Sequence, residues 1–445
     1  MSNRRGDGAG AVWVARSRTF TASTAAACRL FPFVAGAGAP TVGVPLGRHL
    51  VWGEQVHGDP FSWLEAGLIT NTGVFQLGQP GTGKSAFAKR QIVGLAAAGV
   101  RPVVLGDPKG EYSALVQKLH GQVIRVGRGR DRINPLDSQG IGGDALEVRG
   151  RRLSLLLALC GLVRTTRAVG NGEEVVLAAA IDALSGHGAD PTVPDVLRVL
   201  QNPTEPVLHA AQVRSIDQYD AVTQELRWTL GLLCQGSLKG VFDGTSTCRF
   251  DPDAPAVAVD LSAVDDEQLM GAAMLSSWSW GQAAVSAAVT AQRGSRRLLV
   301  MDELWRALRG APGLVDHVDS LTRLNRSRGV ASLMATHSLK DLQALPDSHD
   351  VAKAMGFIDR SAIVVLSGLP RRELRAVSEV VALTEAEQAM VAGWASADSW
   401  RAGARHPGRG RYLIKTGNRP GLPVTMCLTA LEKDLYDTDG PSLQS

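Results

Sequence analysis

Short runs of apolar residues recur along the chain, and most are bounded by polar or turn-forming residues. Such runs are typical of buried strands, because a strand covered on both faces shows no polar alternation. Seven runs have this form: Val74–Leu77, Pro102–Gly106, Val123–Val126, Ala256–Asp260, Leu298–Asp302, Ala331–Ala335 and Ala362–Leu366. Two segments of helical composition, Ala86–Ala98 and Tyr112–Leu119, lie between the first three runs. The alternation predicts repeated βα units and an α/β fold with a parallel sheet.

The strand pattern stops over residues 144–240, where the composition becomes helical. Near the end, Gly410–Lys415 and Pro423–Leu428 flank the turn-rich segment TGNRPGL and predict a hairpin. The first fifty residues show no sustained period and predict a weakly structured arm. The predicted organisation is an arm at 1–50, an α/β domain in two parts at 51–143 and 251–435, an all-helical insert at 144–250 and a tail at 436–445.

One uncharged stretch, residues 269–292, is long enough to cross a membrane. Ser, Thr, Gln and Gly dilute its apolar content well below that of a typical membrane-spanning helix. The stretch therefore predicts a buried helix.

Composition adds little to this picture. The formal charge of +4 is too small to indicate a nucleic-acid partner, since DNA-binding domains concentrate positive charge on one face. The five cysteines are scattered, with neither CxxC pairing nor metal-ligand spacing. This pattern favours reduced thiols in a cytosolic protein and no structural zinc.

The strongest chemical signal follows the first apolar run and precedes a helical segment. It satisfies the pattern G-x-x-x-x-G-K-[ST], whose glycines let backbone N–H groups surround phosphate oxygens at a helix N-terminus. Lys84 is expected to bind the β- and γ-phosphates of ATP, and the Ser85 hydroxyl is expected to bind Mg²⁺. The motif comprises Gly78, Gln79, Pro80, Gly81, Thr82, Gly83, Lys84 and Ser85.

A second acidic element ends the run Leu298–Met301. Asp302 and Glu303 follow this buried strand, on the side where ligands gather in parallel sheets. We expect Asp302 to organise Mg²⁺, directly or through water, and Glu303 to orient and deprotonate the attacking water.

Two further strand ends carry polar residues with two interpretations each. Asp107 and Glu111, in the segment GDPKGEY, either contribute to the same site or belong to a turn built by Pro and Gly. Thr336 and His337 close another strand. They are either a polar sensor of the γ-phosphate or, for His337, a helix-capping residue.

Two groups of basic residues also have alternative interpretations. Arg323, Arg326 and Arg328 precede the strand that ends at Thr336; they form a solvated face or supply a cation to the γ-phosphate of a neighbouring subunit. The second group predicts a solvated surface, a subunit contact or a nucleic-acid contact. Its members are Arg401, Arg405, Arg409, Arg411, Lys415 and Arg419.

With these residues in order, the chain resembles the ATPases of conjugation and type IV secretion machines, in the HerA/FtsK superfamily of RecA-like motors. The resemblance rests on LGQPGTGKS, GDPKGEY, INPLD, LLVMDELW, LTRLNRSRGVASLMATHS and FIDRSAIVVLSGLP, and it covers about residues 45–435. It implies a RecA-like P-loop fold with an all-α insert, and it favours a nucleotide-binding role for Asp107 and Glu111. The sensor strand of the family often ends in Gln, where this chain has Thr336 and His337.

The resemblance also implies partners. It predicts a homo-oligomer, specifically a hexameric ring, that couples Mg-ATP hydrolysis to movement of protein or DNA, together with secretion-channel or membrane components at the inner face of the membrane. Two alternatives remain open at this point. One is an FtsK-like DNA translocase or coupling protein, and the other is an assembly scaffold that binds ATP with little turnover.

Overall fold

The computed structural model describes residues 38–138, 144–164, 169–185, 189–236, 239–290, 296–310, 315, 329–345, 347–395 and 408–436. The strands of these residues are β1 (Pro45–His49), β2 (Gln55–His57), β3 (Gly73–Leu77), β4 (Arg101–Asp107), β5 (Gln122–Arg125), β6 (Val257–Asp260), β7 (Arg297–Met301), β8 (Val330–Thr336), β9 (Ile363–Leu366), β10 (Arg411–Lys415) and β11 (Leu422–Thr425). The helices whose bounds are described are α1 (Pro60–Glu65), α2 (Lys84–Ala97), α3 (Ser113–Lys118), α4 (Ala145–Val163), α5 (Asn171–Leu184), α6 (Val193–Gln201), α7 (Glu205–Ala210), α8 (Ile216–Gln235), α9 (Glu267–Thr290), α10 (Leu304–Gly310), α11 (Leu339–Gln343), α12 (Ser348–Asp359), α13 (Arg371–Ser378), α14 (Glu385–Gly393) and α15 (Ala430–Tyr436).

All of these strands belong to one sheet with the order β2-β1-β11-β10-β9-β3-β8-β7-β4-β6-β5. The section from β9 to β5 is parallel, and the section from β2 to β10 is antiparallel, including the pairing of β10 with β9. β7 and β8 are buried along their whole length, as expected for strands covered on both faces. The seven strand predictions and the C-terminal hairpin are confirmed.

One edge of the sheet departs from the sequence prediction. Residues 45–49, assigned above to the N-terminal arm, form β1, so the prediction is wrong for them. The segment PLGRH shows no apolar run and no alternation of apolar and polar residues that would predict a strand. It becomes a strand because it pairs with two partners, β2 and the distant β11. Residues 1–37 lie outside the described residues.

The stretch between β5 and β6 contains the consecutive helices α4 to α8, as its composition predicts. Local signals set their starts: the Asp144 carboxylate accepts from Glu147 N at α4, and Thr192 with Asp195 forms a capping box at α6. The buried apolar side chains of these helices join one continuous cluster with those of the sheet. The domain boundaries at residues 143 and 250 stay a prediction.

The uncharged stretch forms α9, and its residues from Leu269 to Gly281 are buried, which confirms the expectation of a buried helix. Trp278 Nε1 donates to Leu105 O on β4. A β-carbon at Gly281 would collide with the buried Leu105 side chain, so glycine allows α9 to approach the sheet closely at this point. Among the described residues, no helix combines the length and apolar character needed to cross a membrane.

Candidate active site

The glycine-rich motif forms the loop between β3 and α2, so the predicted strand, loop and helix are confirmed. Gly81 and Gly83 have φ values of 77° and 96°, a left-handed backbone that favours glycine. At Gly78, a β-carbon would lie only 2.5 Å from Ser367 Cβ. These glycines therefore allow both the loop's curvature and its close packing against the segment after β9.

Residues far away in the sequence hold the loop in place, through contacts that the local sequence did not reveal. Tyr412, buried on β10, donates from Oη to Gly83 O over 2.6 Å. Gln79 N donates to Gly368 O over 3.1 Å, and Gly410 N donates to Thr82 O over 3.1 Å. The sequence analysis did not assign Tyr412 to the site. In the structure it stabilises the conformation of the loop.

Lys84 begins α2 and is buried, with 7% of its surface exposed. Its Nζ donates to Gly78 O over 2.7 Å and to Gln79 O over 3.3 Å, and it lies 2.7 Å from His337 Nδ1. Burial lowers the pKa of this ammonium to about 8, although Asp302 and Glu303 oppose the shift. Lys84 is thus a weakly hydrated cation, which interacts strongly with anionic groups.

Asp302 and Glu303 follow β7, and both are buried. Asp302 accepts hydrogen bonds from Tyr112 Oη over 2.7 Å and from Glu303 N over 2.9 Å. Burial, and next the charge of Glu303, raise the pKa of Asp302 above its ordinary value. Glu303 has φ of +52°, which is uncommon for a residue with a side chain and is typical of functional sites.

The Glu303 carboxylate accepts from three side chains. Oε1 lies 2.5 Å from Lys109 Nζ and 3.0 Å from His337 Nε2, and Oε2 accepts from Trp305 Nε1 over 2.7 Å. Burial raises the pKa of Glu303, but the bonds from His337 and Lys109 outweigh it and hold the pKa well below the ordinary value. Glu303 is therefore a fixed, ionised carboxylate in this arrangement.

These groups form a row that follows the strand order. Lys84 lies after β3, His337 after β8, Glu303 after β7 and Lys109 after β4, and β3, β8, β7 and β4 are consecutive in the sheet. The parallel section brings the carboxyl ends of these strands to one edge, as ligand sites in such sheets require. The contacts Lys84–His337–Glu303–Lys109 are thus a direct product of topology.

The segment GDPKGEY forms a turn, and its Lys109 belongs to this row. Asp107, 1% exposed, accepts from Tyr112 N over 2.8 Å and from Lys109 N over 3.3 Å, which fixes the turn. Burial raises the pKa of Asp107 to about 6. Glu111 Oε2 is buried and has no hydrogen-bond partner among the described residues. Lys109 and Tyr112, which sequence reasoning did not assign to the site, contact Glu303 and Asp302 directly.

The alternatives for His337 are separated by the geometry. The residue that caps α11 is Ser338, whose hydroxyl accepts from Lys340 N. The capping interpretation of His337 is therefore wrong, because its ring nitrogens face Lys84 and Glu303 instead. The neighbouring Thr336 Oγ1 is buried and has no partner within the described part of the chain.

The basic groups are only partly described. Arg323, Arg326, Arg328, Arg401 and Arg405 lie outside the described residues.

Of the remainder, Lys415 is buried and lies 3.2 Å from Glu387 Oε1, so the surface interpretation is wrong for it. Arg419 Nη1 donates to Leu68 O over 2.9 Å. Sequence alone could not separate an internal ion pair from a solvated charge run.

Comparisons with known proteins identify this architecture. VirB4 of Thermoanaerobacter pseudethanolicus is similar in structure, with a TM-score of 0.68 and 19% identity over 89% of this chain and all of that chain. The plasmid coupling protein TrwB in complex with ADP and Mg²⁺ has a TM-score of 0.53 and 16% identity over 81% of this chain and 86% of that chain. The chain has the RecA-like P-loop NTPase fold, which confirms the predicted fold class.

Sequence comparison is less informative. Protein STAR1 of Oryza sativa subsp. japonica is 27% identical over 230 residues, which is 48% of this chain and 63% of that protein. The match thus spans less than two thirds of the relative's length. No family model matches the chain.

Proposed function

We propose that this chain is the ATP-hydrolysing motor of a type IV secretion or conjugation system, coupling Mg-ATP hydrolysis to transfer of a protein or DNA substrate. The observation that carries the proposal is the joining of Glu303 to the phosphate-binding loop through His337 and Lys84. A loop that only bound nucleotide would not require a buried carboxylate held beside it. The structural likeness to VirB4 supports the choice of a secretion motor.

The phosphate-binding loop, residues 78–85, is proposed to hold ATP. Its backbone N–H groups and the N-terminus of α2 favour the phosphate oxygens, and Lys84 supplies a mobile charge to the β- and γ-phosphates. Asp107 and Glu111 are proposed to line the same edge. Asp107 would act by shaping the turn, since its carboxylate accepts from the backbone N–H groups of Lys109 and Tyr112.

Ser85 and Asp302 are proposed to hold Mg²⁺. Both offer oxygen ligands, which Mg²⁺ prefers, and it normally binds through few protein groups together with substrate phosphates. The described residues contain no group of three or more His, Cys, Asp or Glu side chains arranged for a metal ion. Burial raises the pKa of Asp302, and a neighbouring cation would stabilise its ionised form. The metal would neutralise charge that develops on the transferred phosphoryl group.

Glu303 is proposed to orient the attacking water and accept its proton, and His337 is proposed to link this carboxylate to the phosphate site. Lys84 donates to His337 Nδ1, so the ring donates from Nε2 to Glu303. A shift of Lys84 towards phosphate would change the ring's bonding. His337 thus provides a direct physical route from the nucleotide to the base.

The assembly is proposed to be a homo-oligomer, specifically a hexameric ring, at the inner face of the membrane with secretion-channel components. Arg326 or Arg328 would reach the γ-phosphate of a neighbouring subunit, because such a cation stabilises charge in the transition state. These arginines remain a prediction from sequence.

The purified chain is expected to release phosphate from Mg-ATP in a colorimetric assay, with activity rising more steeply than linearly with protein concentration. DNA is the second variable. The likeness to the coupling protein TrwB makes a DNA-pumping role the second candidate, and this role predicts that added DNA stimulates turnover. A chain that binds ATP but releases no phosphate at any concentration would support the scaffold alternative and contradict the motor.

Tyr112→Phe is expected to raise the Mg²⁺ concentration needed for half-maximal turnover about tenfold. The hydroxyl orients Asp302, and hydrogen bonds to charged groups contribute ~1.5–3 kcal/mol. Tyr219→Phe is the matched control, because Tyr219 is equally buried and donates to Leu200 O within the helical segment. An unchanged Mg²⁺ titration in Tyr112→Phe, or an equal change in the control, would contradict this role.

A further inference from the structure

Lys109 combines a fixed backbone with an adjustable side chain. Its N–H donates to Asp107 Oδ1, and the next residue, Gly110, has φ of +70° and packs against Ser262. The side chain is nonetheless 49% exposed while its ammonium contacts the buried Glu303. A lysine side chain has four rotatable bonds, so Nζ can move without any change in the turn.

In the arrangement with Lys109 bound, the Glu303 carboxylate is poorly placed to accept a hydrogen bond from water. Lys109 and His337 both contact Oε1, and Trp305 donates to Oε2, so few lone-pair directions remain. Trp305 follows Glu303 by two residues, on α10. Of the three donors, Lys109 is the flexible, half-exposed one.

The charge of Lys109 also acts at the phosphate loop. Lys84 and Lys109 are joined through His337 and Glu303, and the charge of Lys109 contributes, after burial, to lowering the pKa of Lys84. An anion that reached both ammonium groups would be favoured by both charges. The terminal phosphate of ATP carries more negative charge than a single carboxylate and offers three oxygens, and it is therefore a stronger partner for Lys109 than Glu303.

We propose that Lys109 recognises the γ-phosphate of ATP, exchanging its contact with Glu303 for one with the phosphate and thereby releasing the carboxylate to orient water. The inference rests on the proposed function. It adds a residue that distinguishes ATP from ADP, and it makes release of Glu303 depend on the presence of the phosphate to be cleaved.

The test measures the dissociation constants of Mg-ADPNP, a non-hydrolysable ATP analogue, and of Mg-ADP by calorimetry with the full chain. Lys109→Met is expected to weaken ADPNP binding about tenfold and ADP binding less than twofold, since ADP lacks the γ-phosphate. Lys109→Arg, which keeps the charge, is expected to retain most of the ADPNP affinity. Lys118→Met, an exposed lysine on α3, is the matched control and should change neither constant.

A second background removes an alternative explanation. Lys109→Met also leaves the negative charge of Glu303 unbalanced, and this charge by itself would repel the γ-phosphate. In a Glu303→Gln background that charge is absent, so adding Lys109→Met should still weaken ADPNP binding about tenfold if Lys109 contacts the phosphate. No further loss in this background would overturn the inference.

The outcomes separate the inference from the proposed function. If the unmodified chain binds neither nucleotide, the proposed function fails and the inference fails with it. If the unmodified chain binds both but Lys109→Met weakens both equally, or neither, only the role of Lys109 is overturned. Retained ADP binding by the variant shows that its site is folded.

Discussion

Replacing Lys84 by alanine is expected to reduce ATP hydrolysis by at least about 10³-fold and to weaken Mg-ATP binding. Lys84 is a buried cation whose contacts reach the loop carbonyls and His337, and backbone dipoles alone cannot replace its charge at the phosphates. The variant also breaks the link from the loop to Glu303, so the rate is expected to fall even when ATP is saturating. Steady-state phosphate release and equilibrium ATP binding measure the two effects separately.

Lys118→Ala is the control for this prediction, because Lys118 is exposed and contacts none of the site residues described above. It should hydrolyse ATP like the unmodified protein. If Lys84→Ala hydrolysed ATP at a rate within a few-fold of normal, the assignment of the loop to the active site would be wrong, even if the fold were intact.

Glu303→Gln is expected to bind Mg-ATP at least as well as the unmodified chain while hydrolysing it about 10²–10⁴-fold more slowly, the usual range for loss of a general base. The amide keeps nearly the same shape but cannot accept the water's proton. Asp302 and the loop remain available for metal and nucleotide. Binding should tighten because the amide carries no charge to repel the γ-phosphate and holds Lys109 less strongly.

Retention of radiolabelled ATP on the protein, measured beside phosphate release, tests this separation of roles. Asp302→Asn is the comparison variant, since it should lose Mg²⁺-dependent binding as well as turnover. If Glu303→Gln fails to bind ATP, or if it hydrolyses ATP at the normal rate, the roles of the two acidic residues have been assigned wrongly.

The local sequence was sufficient to predict those features whose residues all lie in one short segment. The loop from Gly78 to Ser85 needs a strand before it, a helix after it and glycines between, and all of these lie within one short segment. Asp302 and Glu303 could be predicted from the sequence for the same reason, because the buried apolar run and the two carboxylates that end it are adjacent. The hairpin of β10 and β11 likewise depends on neighbouring residues and a turn between them.

Contacts between distant segments could not be predicted from local sequence. Tyr412 donates to Gly83 across 329 positions, and Tyr112 donates to Asp302 across 190. A tyrosine in a strand or near a turn gives no local sign of such a partner. The buried ion pair of Lys415 with Glu387 was missed for the same reason. In the sequence, Lys415 belongs to a run of basic residues, which is also typical of a charged surface.

The sequence by itself determined that the chain alternates buried strands with helices, that a glycine-rich loop with the pattern G-x-x-x-x-G-K-[ST] follows β3, and that acidic residues end β7. Only the tertiary structure decided that β3, β8, β7 and β4 lie side by side, and so that Lys84, His337, Glu303 and Lys109 meet in one row. The reason is physical. Hydrophobic periodicity reports which face of an element is buried, whereas the order of strands is set by crossover connections and by packing over the whole sheet.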